Sequence, residues 1–229
     1  MHPAARPMHT AILPTLHATA MDLPDLPLAT RNLLAAVTTQ LVARIFPETP
    51  LAPIAANLPH VLQALNAAGL NDAPMLLAAL GTIRAEAECF EPLREGISAF
   101  NTSPGGTPFD LYDHRADLGN QGPPDGARFC GRGFVQLTGR ANYGRYAAST
   151  GLDLLGNPEL ACEPGPASTL LDRFLADRAP AIRRALAAGD LARARRLVNG
   201  GTNGLTRFTA AIRLGAPLLA PPYRAESLA

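Results

Sequence analysis

Two glutamates nine positions apart, Glu86 and Glu95, and a glycine-rich run from Gly131 to Tyr143 are the residues of this chain best suited to chemistry. A pair of carboxyl groups, one protonated and the other ionised, is what cleavage of a glycosidic bond requires. The run reads Gly-Arg-Gly-Phe-Val-Gln-Leu-Thr-Gly-Arg-Ala-Asn-Tyr. Gly131 and Gly133 permit a close backbone approach or a turn with positive φ. Gln136, Thr138 and Asn142 place two amides and a hydroxyl on an otherwise apolar segment. Such groups both donate and accept hydrogen bonds, which suits a ligand made of hydroxyls, ethers and acetamides, as a carbohydrate polymer is.

The elements that must position these groups are helical. Asp72 is a candidate N-cap with Pro74 in the first turn, and Leu76, Leu80, Ile83 and Ala87 form an apolar stripe that Phe90 and Pro92 end. Glu86 then lies at the edge of the buried face, where desolvation favours the protonated form that a general acid needs. Glu88 points about 200° away around the helix and reads as an exposed ion pair with Arg84, four residues earlier. On an unbroken helix Glu95 would lie on the opposite face, about 13 Å further along. Pro92 argues for a bend at Phe90–Pro92 that folds Glu95 back across a cleft. An inverting glycosidase needs its carboxyls about 6.5–9.5 Å apart. Glu91 stays open as an alternative to Glu95 on spacing alone.

Helical periodicity also runs from Thr30 through Leu33, Leu34, Val37, Leu41 and Ile45 to Pro47, and from Ile54 to Ala68, with Pro59 expected to break or tighten its start. Further helices are expected over Tyr143–Thr150, Ala167–Arg178, Ala181–Ala188, Leu191–Val198 and Leu205–Leu214, with Gly189 and Asp190 as stop and cap. Strand signals reduce to a short hairpin around Gly131–Thr138. The long Ser98–Phe129 segment is rich in Gly, Pro, Asp and Asn, and so long a loop in a compact domain is usually functional. The reading is a mainly α catalytic domain over 29–216, flanked by a flexible N-terminal tail (1–28) and a C-terminal tail (217–229).

A net charge of +1, with all 20 basic residues arginine, gives no reason to expect nucleic acid or an acidic membrane as partner. Arg183, Arg184, Arg193, Arg195 and Arg196 cluster near Asp177 and Asp190 and read as a solvated helical face. Cys89, Cys130 and Cys162 show no metal-ligand spacing. Cys89 and Cys130 flank the two candidate segments, and a bridge between them stays open. No apolar stretch reaches the length of a membrane span, and no clean signal peptide is evident. The expectation is therefore a cytoplasmic location until release by lysis or a dedicated secretion system.

With Glu86-Ala87-Glu88-Cys89-Phe90, Gly131-Arg132-Gly133-Phe134-Val135-Gln136-Leu137-Thr138, Asn142-Tyr143 and Asn199-Gly200-Gly201, the chain resembles glycoside hydrolase family 19, which comprises chitinases and phage-type endolysins. The resemblance spans roughly Pro50 to Leu214 and is strongest to compact bacterial and prophage members. It implies a lysozyme-like, two-lobed helical fold with irregular loops lining a cleft. It implies inverting hydrolysis of β-1,4 bonds in N-acetylglucosamine polymers, chitin or peptidoglycan, without cofactor or metal. On it, Glu86 resembles the general acid and Glu95 the base. Gln136 and Asn142 resemble sugar-binding groups, Thr138 the hydroxyl that holds the attacking water, and Asn199 a further substrate contact; Tyr143 is a candidate binding residue that reads equally well as core packing. The implied partner is a polysaccharide, with neither nucleic acid nor membrane, and the chain is expected to act as a monomer. Many members carry His immediately before the acid, where this chain has Ala85. Ala87 and Cys89 also depart from the family pattern. These departures keep a second reading open, a non-catalytic glycan-binding protein with a degenerate hydrolase cleft.

Overall fold

A computed structural model describes residues 33–219; the expected tail 1–28 and residues 220–229 lie outside the described residues. The fold is built around one helix. Asp72 starts it, its carboxylate accepting from the Met75 N–H at 3.1 Å, with Pro74 in the first turn. In chain order the helices are α1 (Thr39–Ile45), α2 (Leu51–Ala67), the central α3 (Ala73–Glu86), the short α4 (Asp110–Asp113) and α5 (Asp125–Arg128), α6 (Arg140–Thr150), α7 (Pro164–Ala176), α8 (Ala179–Ala187), α9 (Leu191–Asn199) and α10 (Leu205–Leu219). Every residue of α3 from Ala73 to Arg84 is buried. The expected one-sided stripe is therefore a helix buried all round, as the run Leu76-Leu77-Ala78-Ala79-Leu80 allows. Helices α7, α8, α9 and α10 pack on it, and α1 and α2 close the layer through α10 and α7. The α3–α10 approach depends on two missing side chains. A Cβ at Gly81 would lie 2.8 Å from the Phe208 ring, and one at Gly215 would lie 2.5 Å from Leu77.

Two expected helices differ at their starts. The first breaks into a 3-10 turn (Leu34–Ala36) and α1, because the Thr38 hydroxyl caps Leu41 N–H at 3.2 Å. The second, α2, begins at Leu51 and runs through Pro59 unbroken. Pro59 and Ala55, whose carbonyl loses its donor, are both exposed, so that carbonyl is open to solvent. The later helices lie near their expected positions, and α10 continues through Pro217 to Leu219.

A second, smaller core gathers Phe129, Leu137, Tyr143, Tyr146, Leu154, Ala161 and Leu170 around α6. Val135 and Phe174 pack against both cores, so the seam between the two lobes runs past these side chains. The Ser98–Phe129 segment buries Phe109 and Phe129 and is tied together by carboxylates. Asp113 accepts from Gly126 N–H at 2.8 Å, and Asp125 accepts from Gln121 N–H at 2.8 Å and from both arms of the Arg140 guanidinium. Among the described residues there is no strand. The expected hairpin is reduced to two isolated bridges, Arg94 with Arg132 and Arg132 with Leu137.

Candidate active site

Glu86 is the last residue of α3, where the helix leaves the core. The chain then turns sharply. Phe90 takes φ +59°, a conformation uncommon outside glycine, and is held there fully buried between Phe46 and Phe134. Asn57 donates to the Phe90 carbonyl at 3.0 Å, and the Thr49 hydroxyl donates to the Glu88 carbonyl. The expected bend is thus real and pinned by α2 and the turn before it. With the helix ended at Glu86, Glu88 no longer meets Arg84. It pairs instead with Arg207 at 2.9 Å.

The surroundings of Glu86 are not dry, as the sequence suggested, but paired. Its Oε1 accepts from Arg195 Nη2 and, at 2.8 Å, from Asn199 Nδ2. Arg195 is 1% exposed and also donates from Nε to the Asn203 carbonyl at 2.8 Å. Both contacts fall on one oxygen. No hydrogen bond from a described residue falls on Oε2, and the side chain keeps 20% of its surface open.

Glu95 is fixed to Gly131 by two hydrogen bonds, one from each backbone N–H. Its N–H donates to the Gly131 carbonyl at 2.8 Å, and the Gly131 N–H donates to its Oε1 at 2.7 Å. The Tyr112 hydroxyl lies 3.4 Å from Oε2. Burial and the adjacent carboxylate push the Tyr112 phenol above its usual range, so it remains a donor. Gly131 is where the polar groups converge: a Cβ there would lie 2.8 Å from Gln136 Oε1, 3.2 Å from Glu95 Cδ and 3.2 Å from Thr138 Oγ1. Gln136 is held at φ +49°, its amide donating to the Leu93 and Gly133 carbonyls. Thr138 donates to the Gln136 carbonyl at 2.9 Å, and Asn142 to the Thr138 carbonyl at 2.8 Å.

These two halves face one cleft of about 380 Å³, lined by Glu86, Gln136, Thr138, Asn142 and Asn199 together with the seam residues Val135 and Phe174. Glu95 is not part of that lining; its Cδ and Thr138 Oγ1 each lie 3.2 Å from where a Gly131 Cβ would stand. Tyr143 is the exception among the expected binding residues. It is 0% exposed, donates to the Cys130 carbonyl at 2.9 Å and accepts from Arg132 at 3.0 Å. Its four-residue offset from Gly139 turns it into the second core, so a sugar cannot reach it. The bridge left open between Cys89 and Cys130 is not formed. All three thiols are free, and Cys130 Sγ accepts from Arg94 at 3.1 Å.

Arg195 is the site residue that sequence reasoning missed, since it was counted in a solvated arginine face. Arg183 also departs from that reading, pairing with the Asp72 cap at 2.6 Å. A signal existed for Arg195. It lies four residues before Asn199, on the same face of α9, and helical neighbours at that interval share a partner.

No protein-family model and no curated protein matches the chain. Solved structures do match. Chitinase C from Streptomyces griseus HUT6037 superposes with a TM-score of 0.52 at 18% identity, over 78% of this chain and 76% of that one. A chitinase C mutant with glutamine in place of one glutamate gives 0.51 at 19% identity, with the same coverage. The likeness is one of fold: this chain has the mainly helical, lysozyme-like architecture of those chitinases, the architecture that the motifs implied.

Proposed function

We propose that the chain is a glycoside hydrolase of family 19 that cleaves β-1,4 bonds in N-acetylglucosamine polymers with inversion. The observation that carries this reading is the convergence of Glu95, Gln136 and Thr138 around Gly131, with Gln136 and Thr138 lining the cleft into which α3 delivers Glu86. Glu86 donates a proton from its unpartnered oxygen to the leaving sugar. Arg195 and Asn199 hold the other oxygen and stabilise the carboxylate that forms. Glu95, oriented by the Gly131 N–H, takes a proton from a water held near Thr138, and that water attacks the anomeric carbon from the opposite face. Gln136, Asn142 and Asn199 bind sugar hydroxyls and acetamides along the cleft.

The test is incubation with N-acetylglucosamine oligomers and with purified sacculi, followed by mass analysis of products and NMR of the first-formed anomer. Hydrolysis yielding the α-anomer, abolished about 10²–10⁴-fold in Glu86→Gln, is the expected result. Retention on the polymer with no new reducing ends would instead identify a glycan-binding protein.

A further inference from the structure

The cleft wall carries more positive charge than a neutral polymer calls for. Arg145 and Arg178 line it, and the single acidic group in the lining, Glu86, is already matched by Arg195. The two guanidiniums are held in place by aromatic rings. Tyr146 and Phe174 stack with centroids 6.1 Å apart, Arg145 lies 5.7 Å over the first ring and Arg178 5.3 Å over the second. Such cation–π contacts fix a guanidinium's plane while leaving its edge N–H groups free. Arg145 spends one arm on Asp177 at 3.1 Å, across a surface pair with both side chains more than half exposed. Arg178 spends one on the Phe174 carbonyl, at a long 3.4 Å, and bonds the Tyr146 hydroxyl with another. The Arg178 guanidinium, with five donors, keeps N–H groups beyond those two contacts at the wall of the proposed substrate cleft. An arginine fork matches a planar carboxylate and exceeds what a sugar hydroxyl requires.

We propose that Arg178, assisted by Arg145, forms a subsite for a carboxylate carried on the polymer, so that the cleft prefers an acid-substituted amino-sugar chain over neutral chitin. The subsite deepens the hydrolase reading and rests on it for the meaning of the cleft, but its binding test does not depend on turnover. Helix α7 and the turn after it place Phe174 and Arg178 four residues apart on the seam side, which links the subsite to the same wall that carries the lobe junction.

Two measurements test the subsite. The first is retention of the protein on insoluble sacculi, native or with carboxyls converted to neutral amides. Native sacculi should hold wild type about tenfold more tightly than amidated ones, and Arg178→Gln should abolish that difference. Asp177→Asn, which frees Arg145, should widen it. The second is the ratio of kcat/KM on soluble carboxylated glycan to that on the N-acetylglucosamine hexamer. It should fall about tenfold in Arg178→Gln, mainly through KM, and recover in part in Arg178→Lys. Equal retention of wild type on native and amidated sacculi, or an unchanged ratio in Arg178→Gln, overturns the proposal. Absence of turnover on both polymers alongside the retention difference would fail the hydrolase reading and leave the subsite standing.

Discussion

The buried guanidinium of Arg195 donates to the same oxygen of Glu86 that Asn199 reaches, so the end of α9 decides how the end of α3 presents its carboxyl. Removing one partner of a fully buried ion pair costs about 3–5 kcal/mol. Glu86 opens on the cleft, and solvent there lowers the figure. Arg195→Met should therefore destabilise the protein by about 2 kcal/mol in urea denaturation and lower kcat by more than it changes KM. An unchanged kcat would show that the pair serves only the fold.

Gly131 is a position at which the proposed hydrolysis can be tested separately from folding. Its backbone φ lies outside the left-handed region reserved for glycine, so alanine is tolerated locally. The added methyl would nonetheless crowd Gln136, Glu95 and Thr138. Gly131→Ala should cut hydrolysis by at least about tenfold, the order expected for displaced catalytic groups, with a small change in Tm. A variant with wild-type kcat would place the polar convergence outside the reaction.

Tyr143 should behave as a core residue. Tyr143→Phe leaves Arg132 one acceptor short and removes a donor from the Cys130 carbonyl, at a cost of about 1 kcal/mol. KM for oligomers should stay the same. A raised KM with unchanged stability would return Tyr143 to the substrate site.

Asp172 lies in a groove between α2 and α7, with Oδ1 buried and without a hydrogen-bond partner. Burial pushes its carboxyl from the usual 3.8 up to about 6, against the opposing pull of Arg173. Between those values the folded protein binds more protons than the unfolded chain, so the stability contributed here is present at low pH and is lost as pH rises through about 6. Asp172→Asn should be more stable than wild type at neutral pH, and its advantage should shrink toward pH 4. A Tm difference that does not change over that range would show the carboxylate to be paired in solution.

The central helix was legible because its determinants are local. Asp72, Pro74 and a continuous apolar run fix its start and its burial, and Pro92 signals that the chain must turn after it. The glycine-rich run was legible as a polar cluster because Gln136, Thr138 and Asn142 sit close in sequence. Other features were decided only by packing. Tyr143 belongs to the same run yet faces inward, because the helix that starts after Gly139 turns it into the second core. Arg195 looked like surface charge until α9 packed against α3, more than a hundred residues away in sequence, and brought it to Glu86. A sequence gives side-chain types and short-range periodicity. Which of two equally spaced arginines is buried, and which oxygen of a carboxyl stays free, depends on contacts between helices that only the assembled lobes create.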